Sequence, residues 1–77
     1  MERIKNELMG LAGVEDITDL FNYENIEDIE ISIEGGFTFT KKAEIAFNKL
    51  EEKYELEEIQ NLYDYLWFAY EYILRNR

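Results

Sequence analysis

The sequence predicts one small α+β domain over residues 1–77, with a helix and a short helix, a β-hairpin, and then two C-terminal helices. Three observations carry that expectation. Apolar residues recur at helical spacing at both ends of the chain. Between them, Ile29, Ile31 and Ile33 alternate strictly with Glu30, Ser32 and Glu34, the pattern of a half-buried strand. Gly35-Gly36 then supplies a turn, and Phe37-Thr38-Phe39-Thr40 alternates again.

Each element has its own justification. Glu2 to about Ala12 reads as a helix, with Ile4, Leu8 and Leu11 on one face, Arg3 and Glu7 as an i,i+4 pair, and Gly13 as its stop. Val14, Ile17, Leu20 and Phe21 extend the helical pattern over two further turns, and Asn22 to Asn25 forms a connection. The strand covers Asp28 to Glu34. A three-residue loop, Glu34 to Gly36, sets Ile33 opposite Phe37 and Ile31 opposite Phe39, so that all the apolar groups share one face. Gly36 takes the left-handed position of the associated bulge. A two-residue turn would instead put both Phe on the charged face. Thr40 is a fair N-cap for a helix from Lys41 to about Tyr54, whose buried face is Ala43, Ala46, Phe47, Leu50 and Tyr54.

The last helix runs from about Glu57 to Arg75. Glu57 and Glu58 suit its N-terminus, and Arg75 and Arg77 its C-terminal end. Its main stripe is Ile59, Leu62, Tyr63, Leu66, Tyr70, Ile73 and Leu74. Tyr65, Phe68, Ala69 and Tyr72 make a second apolar face beside it, and Trp67 is a further anchor. A helix apolar nearly all round is buried on several sides or is part of an interface.

Composition narrows the function. The chain has no Cys and no His, and Ser32 is its single serine, so triad chemistry and thiolate metal sites have no parts. No phosphate-binding loop, dinucleotide fingerprint or calcium loop occurs. The sequence therefore predicts no enzyme, no cofactor and no specific metal site. No apolar run approaches the ~18 residues of a membrane span, and the N-terminus lacks the features of a signal peptide, so the expected location is the cytoplasm. Aromatic residues make up 16% of the chain, which argues against a disordered acidic tail.

The charge pattern is the strongest functional signal. The formal net charge is −10, and no Lys or Arg stands between Lys5 and Lys41. That stretch holds Glu7 and eight candidate partner-binding carboxylates: Glu15, Asp16, Asp19, Glu24, Glu27, Asp28, Glu30 and Glu34. Ordinary surfaces mix signs, and a one-sign block costs self-repulsion. DNA carries one charge per ~1.7 Å of axis, so a dense carboxylate array can imitate its phosphates. The expected partner is thus a basic nucleic-acid-binding protein, such as a bacterial defence nuclease. Direct nucleic-acid binding is not expected, because Glu30 and Glu34 on the hairpin would repel phosphate. The bland alternative is a solvated acidic face kept for solubility.

In size, charge, lack of Cys and Pro, and the basic-free stretch Glu7–Thr40, the chain resembles the small acidic phage-borne inhibitors of host defence, the anti-CRISPR proteins and anti-restriction DNA mimics. The resemblance implies inhibition by occupying a nucleic-acid channel, and it assigns no residue a role. A second reading, from another class, is an adaptor or structural module that forms a homodimer through Tyr65, Phe68 and Tyr72.

Overall fold

The computed structural model describes residues 2–24 and 26–76, and its architecture is all-helical. Four α-helices and one 3₁₀ turn follow in order: α1 (Glu2–Ala12), the 3₁₀ turn (Ile17–Leu20), α2 (Ile29–Gly35), α3 (Lys41–Lys53) and α4 (Leu56–Arg75). The expected α+β class is therefore wrong. The segment assigned to the first strand of the hairpin is helix α2, and no sheet forms among the described residues.

The frame of the molecule is α1, α3 and α4. Helix α1 buries Ile4, Leu8 and Ala12 at i,i+4,i+8 spacing, while Leu11 stays exposed. It ends at Gly13 with φ +72°, where Gly13 N–H bonds the Gly10 carbonyl and Val14 N–H bonds that of Met9. Those two bonds form a Schellman stop, which needs the left-handed conformation that Gly supplies at least cost. Helix α3 starts where expected, with Thr40 Oγ1 accepting from Ala43 N–H at 3.2 Å. It buries Ala43, Ala46, Phe47 and Leu50. Helix α4, twenty residues long, buries Ile59, Leu62, Leu66, Tyr70 and Leu74. Leu8, Leu20, Leu50, Leu62, Leu66 and Leu74 are the largest side chains closed off completely, and they form the centre of the core.

The region between α1 and α3 departs most from expectation. The two-turn helix from Val14 shrinks to one 3₁₀ turn, whose i,i+3 spacing suits Ile17 and Leu20 equally well. Asp16 opens that turn, its Oδ1 accepting from both Thr18 N–H and Thr18 Oγ1 at 2.9 Å. The Tyr23 hydroxyl donates to the Thr18 carbonyl at 2.7 Å and ties down the connection that follows. Asn25, at the end of the expected connection, and Arg77, expected at the end of the last helix, lie outside the described residues.

Physical causes for the helix in place of the strand are local and tertiary. Asp28, read as the first strand residue, is the N-cap of α2: its Oδ1 accepts from Ile31 N–H at 3.1 Å. Residues spaced by two along a strand are spaced by four at every second step, so Ile29 and Ile33 also share one face of a helix. Only Ile33 is buried, at 8% exposure, while Ile31 points outward at 68%. Trp67 of α4 completes the arrangement, its Nε1–H donating at 3.1 Å to the Ile33 carbonyl, which also accepts from the capping Gly36 N–H at 3.2 Å. Gly36 does have positive φ, +87°, but it caps a helix instead of forming a hairpin bulge.

Phe37 to Thr40 finds a different partner. Asn22 N–H donates to the Thr38 carbonyl at 2.7 Å and Thr40 N–H to the Leu20 carbonyl at 2.9 Å, so Phe39 bridges Phe21 instead of Ile31. This single antiparallel rung brings Phe37 and Phe39 onto the core. Phe37 packs edge-on to Phe21 at 5.2 Å and Phe39 meets Phe47 at 5.2 Å between ring centres, with Tyr70 of α4 beside Phe21 at 5.3 Å. Aromatic pairs at such distances add about 0.5–1.5 kcal/mol each beyond the area they bury. The rings expected to close a hairpin close the interface between the crossing segment and α4.

Candidate functional site

All eight carboxylates of the expected partner-binding set face solvent. They lie along one continuous length of chain. Glu15 follows α1, Asp16 and Asp19 sit at the 3₁₀ turn, Glu24 and Glu27 occupy the connection, and Asp28, Glu30 and Glu34 belong to α2 and its cap. In the expected strand, Glu30, Ser32 and Glu34 shared a face. In the helix, Glu30 and Glu34 still do, one turn apart, and Ser32 leaves it.

The structure divides these residues by the work they do. Asp16 and Asp28 are helix caps, as described above. The backbone and side-chain hydrogen bonds from Thr18 hold the Asp16 carboxyl below its ordinary pKa. Glu30 accepts from Arg75 of α4, at 2.6 Å from Nη1 and 3.3 Å from Nη2, a two-pronged pair that fastens α2 to the end of α4. Glu71 accepts from Nε of the same guanidinium at 3.1 Å. Arg75 is raised further above its ordinary pKa, first by Glu30 and then by Glu71. Glu15, Asp19, Glu24, Glu27 and Glu34 make no side-chain hydrogen bond or ion pair among the described residues.

Glu7 has a separate role. It does not form the expected pair with Arg3 but reaches across to the end of α3, where the Lys53 ammonium and the Tyr54 hydroxyl both donate to it. Lys53 and then Tyr54 lower the Glu7 pKa, and Glu7 in turn raises those of Lys53 and Tyr54. This pairs Lys53 at the α3–α4 corner, where Arg3 of α1 also lies. Glu51, Glu52, Glu55, Glu57 and Glu58 surround that corner, and all are exposed. A second acidic surface therefore exists outside the stretch that the basic-free run had marked. Its signal was present in the run Glu51-Glu52-Lys53-Tyr54-Glu55-Leu56-Glu57-Glu58, where Lys53 hid it until its partner was known.

The aromatic face of the last helix is split. Tyr65 is half-buried, with the Lys5 ammonium 5.9 Å from its ring centre. Phe68 and Tyr72 are 72% and 70% exposed, one turn apart on the side of α4 away from the core. Neither α1 nor α2 covers them. Among the described residues, no group of three or more carboxylates is placed to hold a metal ion. No described helix is long and apolar enough to cross a membrane. No protein-family model, no curated protein and no solved structure matches the chain.

Proposed function

We propose that this protein is a non-enzymatic inhibitor that occupies the basic nucleic-acid-binding surface of another protein, with carboxylates in the place of phosphates. One observation carries the reading. The whole acidic set from Glu15 to Glu34 is solvent-facing, on a length of chain without any Lys or Arg, and the only described cation that reaches it is Arg75 on Glu30. Opposite charge would speed association with a basic cleft, and the strength of binding would fall with salt.

The division of labour among the carboxylates decides how to test this. Reversing Asp28 or Glu30 would also release α2, so a loss of binding would be ambiguous. Glu15, Asp19 and Glu27 have no such duty. The combined Glu15→Lys, Asp19→Lys and Glu27→Lys variant should keep its helix content and lose capture of a nucleic-acid-binding protein from nuclease-treated bacterial lysate. A folded variant that captures the same protein as strongly as the parent would overturn the acidic-surface reading.

A further inference from the structure

A groove of about 510 Å³ runs between α3 and α4, lined by Phe47, Glu51, Ile59, Gln60, Tyr63 and Asp64. Its floor is apolar, since Phe47 and Ile59 are buried core residues. The Tyr63 ring is fixed by Phe37 at 4.9 Å and Trp67 at 5.9 Å between ring centres, yet it remains 37% exposed. Glu51 from α3 and Gln60 and Asp64 from α4 are exposed at its mouth. Their side chains make no hydrogen bond or ion pair among the described residues. An apolar floor, a fixed ring and a few converging polar groups are the makings of a ligand site of this size.

No cation of the chain neutralises the groove. Glu51 and Asp64 give it two negative charges. Glu44, seven residues before Glu51, lies on the same side of α3 and adds a third. None of the described cations is among the lining residues. Lys53 is bonded to Glu7 and lines, with Arg3, the separate groove toward α1. Lys49 stands two residues from Glu51 and so points to the other side of α3. Lys41 and Lys42 are ten and nine residues before Glu51, roughly 14 Å away along the helix. Lys5 is paired with Glu2, and Arg75, eleven residues beyond Asp64, with Glu30 and Glu71. The remaining carboxylates of the α3–α4 corner only add to the negative sign.

We propose that this groove receives an arginine side chain of the basic partner. The guanidinium lies against the Tyr63 ring and donates to the Glu51 and Asp64 carboxylates, and the Gln60 side-chain oxygen accepts a further bond. A guanidinium can stack on a ring while its edge N–H groups stay free to bond carboxylates. A lysine ammonium is more strongly hydrated and has no flat face to lay there. The arginine methylenes cover Phe47 and Ile59. Arginine is also a common phosphate-binding residue on nucleic-acid-binding surfaces. That the arginine belongs to such a protein rests on the proposed function; the preference of the groove for a guanidinium does not.

NMR titration of the purified, isotope-labelled protein with N-acetyl-arginine amide tests the site. At physiological salt, saturable shifts should centre on residues 47–51 and 59–64. The Glu51→Gln, Asp64→Asn double variant should bind about tenfold more weakly. Both side chains are exposed and unbonded, so circular dichroism should show unchanged helix content. N-acetyl-lysine amide, of equal charge, should bind more weakly than the arginine probe. No saturable shift, shifts centred on residues 15–34, equal binding of the lysine probe, or an unaffected double variant would each overturn the proposal. In capture from lysate, the double variant should retain less nucleic-acid-binding protein than the parent. Equal retention would overturn the groove as a partner site and leave the proposed function intact. Arginine-probe binding by a chain that captures no such protein would overturn the proposed function and support the guanidinium site.

Discussion

Helices α2 and α4 lie side by side and are held by different physics. Helix α4 buries five large apolar side chains over twenty residues. Helix α2 has seven residues and buries only Ile33. What keeps α2 in place is largely polar: the Asp28 cap, the Trp67 bond to the Ile33 carbonyl and the Glu30–Arg75 pair. Burial is strong and non-directional, whereas single hydrogen bonds and exposed ion pairs contribute about 1 kcal/mol or less each. Helix α4 should therefore open only with the whole protein, and α2 should open on its own.

The largest expected effect tests the α4 side of this contrast. Leu66 is completely buried near the middle of α4, and Leu66→Ala should cost about 2–5 kcal/mol in a urea titration followed by circular dichroism. On the α2 side, Trp67→Phe removes the bond to Ile33 while keeping an aromatic ring. It should cost about 1 kcal/mol and speed amide hydrogen exchange in residues 31–36 far more than in residues 62–70. Asp28→Ala removes the cap, with an expected cost of about 0.5–2 kcal/mol and the same local pattern of exchange.

A pH titration sharpens the comparison on the α1–α3 side. Glu7 and Asp16 both have lowered pKa values in the folded protein, so the stability they add is complete above the ordinary carboxylate range. It is lost as the pH falls through the lowered values, below about pH 4. Glu7→Gln should flatten part of that acid-side loss in thermal melts and leave stability at neutral pH reduced. The smallest effect belongs to Ile31→Ser, which should stay within about 0.5 kcal/mol because the side chain points to solvent. In the expected hairpin the same change would have removed a core contact with Phe39, so a large cost would favour the strand after all.

The same contrast explains what was legible in the sequence. Helices α3 and α4 show their buried faces over several turns, and Thr40 marks the start of α3, so their identity and most of their core could be read directly. The run from Ile29 to Ile33 spans only five residues, too short for a two-residue period to be told from an i,i+4 pair. The deciding contacts come from Trp67 and Arg75, more than thirty residues away. The carboxylate set was legible as charge, and its exposure follows from that. The separate duties of Asp16, Asp28 and Glu30 were not, because a cap or an ion pair depends on backbone geometry and on distant partners. The exposure of Phe68 and Tyr72 depended on where α1 and α2 pack, which periodicity within α4 does not specify.

The proposed substitution of carboxylates for phosphates on a basic protein can be tested on its own. The most direct measurement is capture with tagged protein from nuclease-treated bacterial lysate, followed by stepwise salt elution and, in parallel, by added DNA. A phosphate mimic should capture a nucleic-acid-binding protein that leaves at moderate salt and is displaced by DNA. Recovery of the bait alone, or of partners indifferent to both salt and DNA, would contradict it.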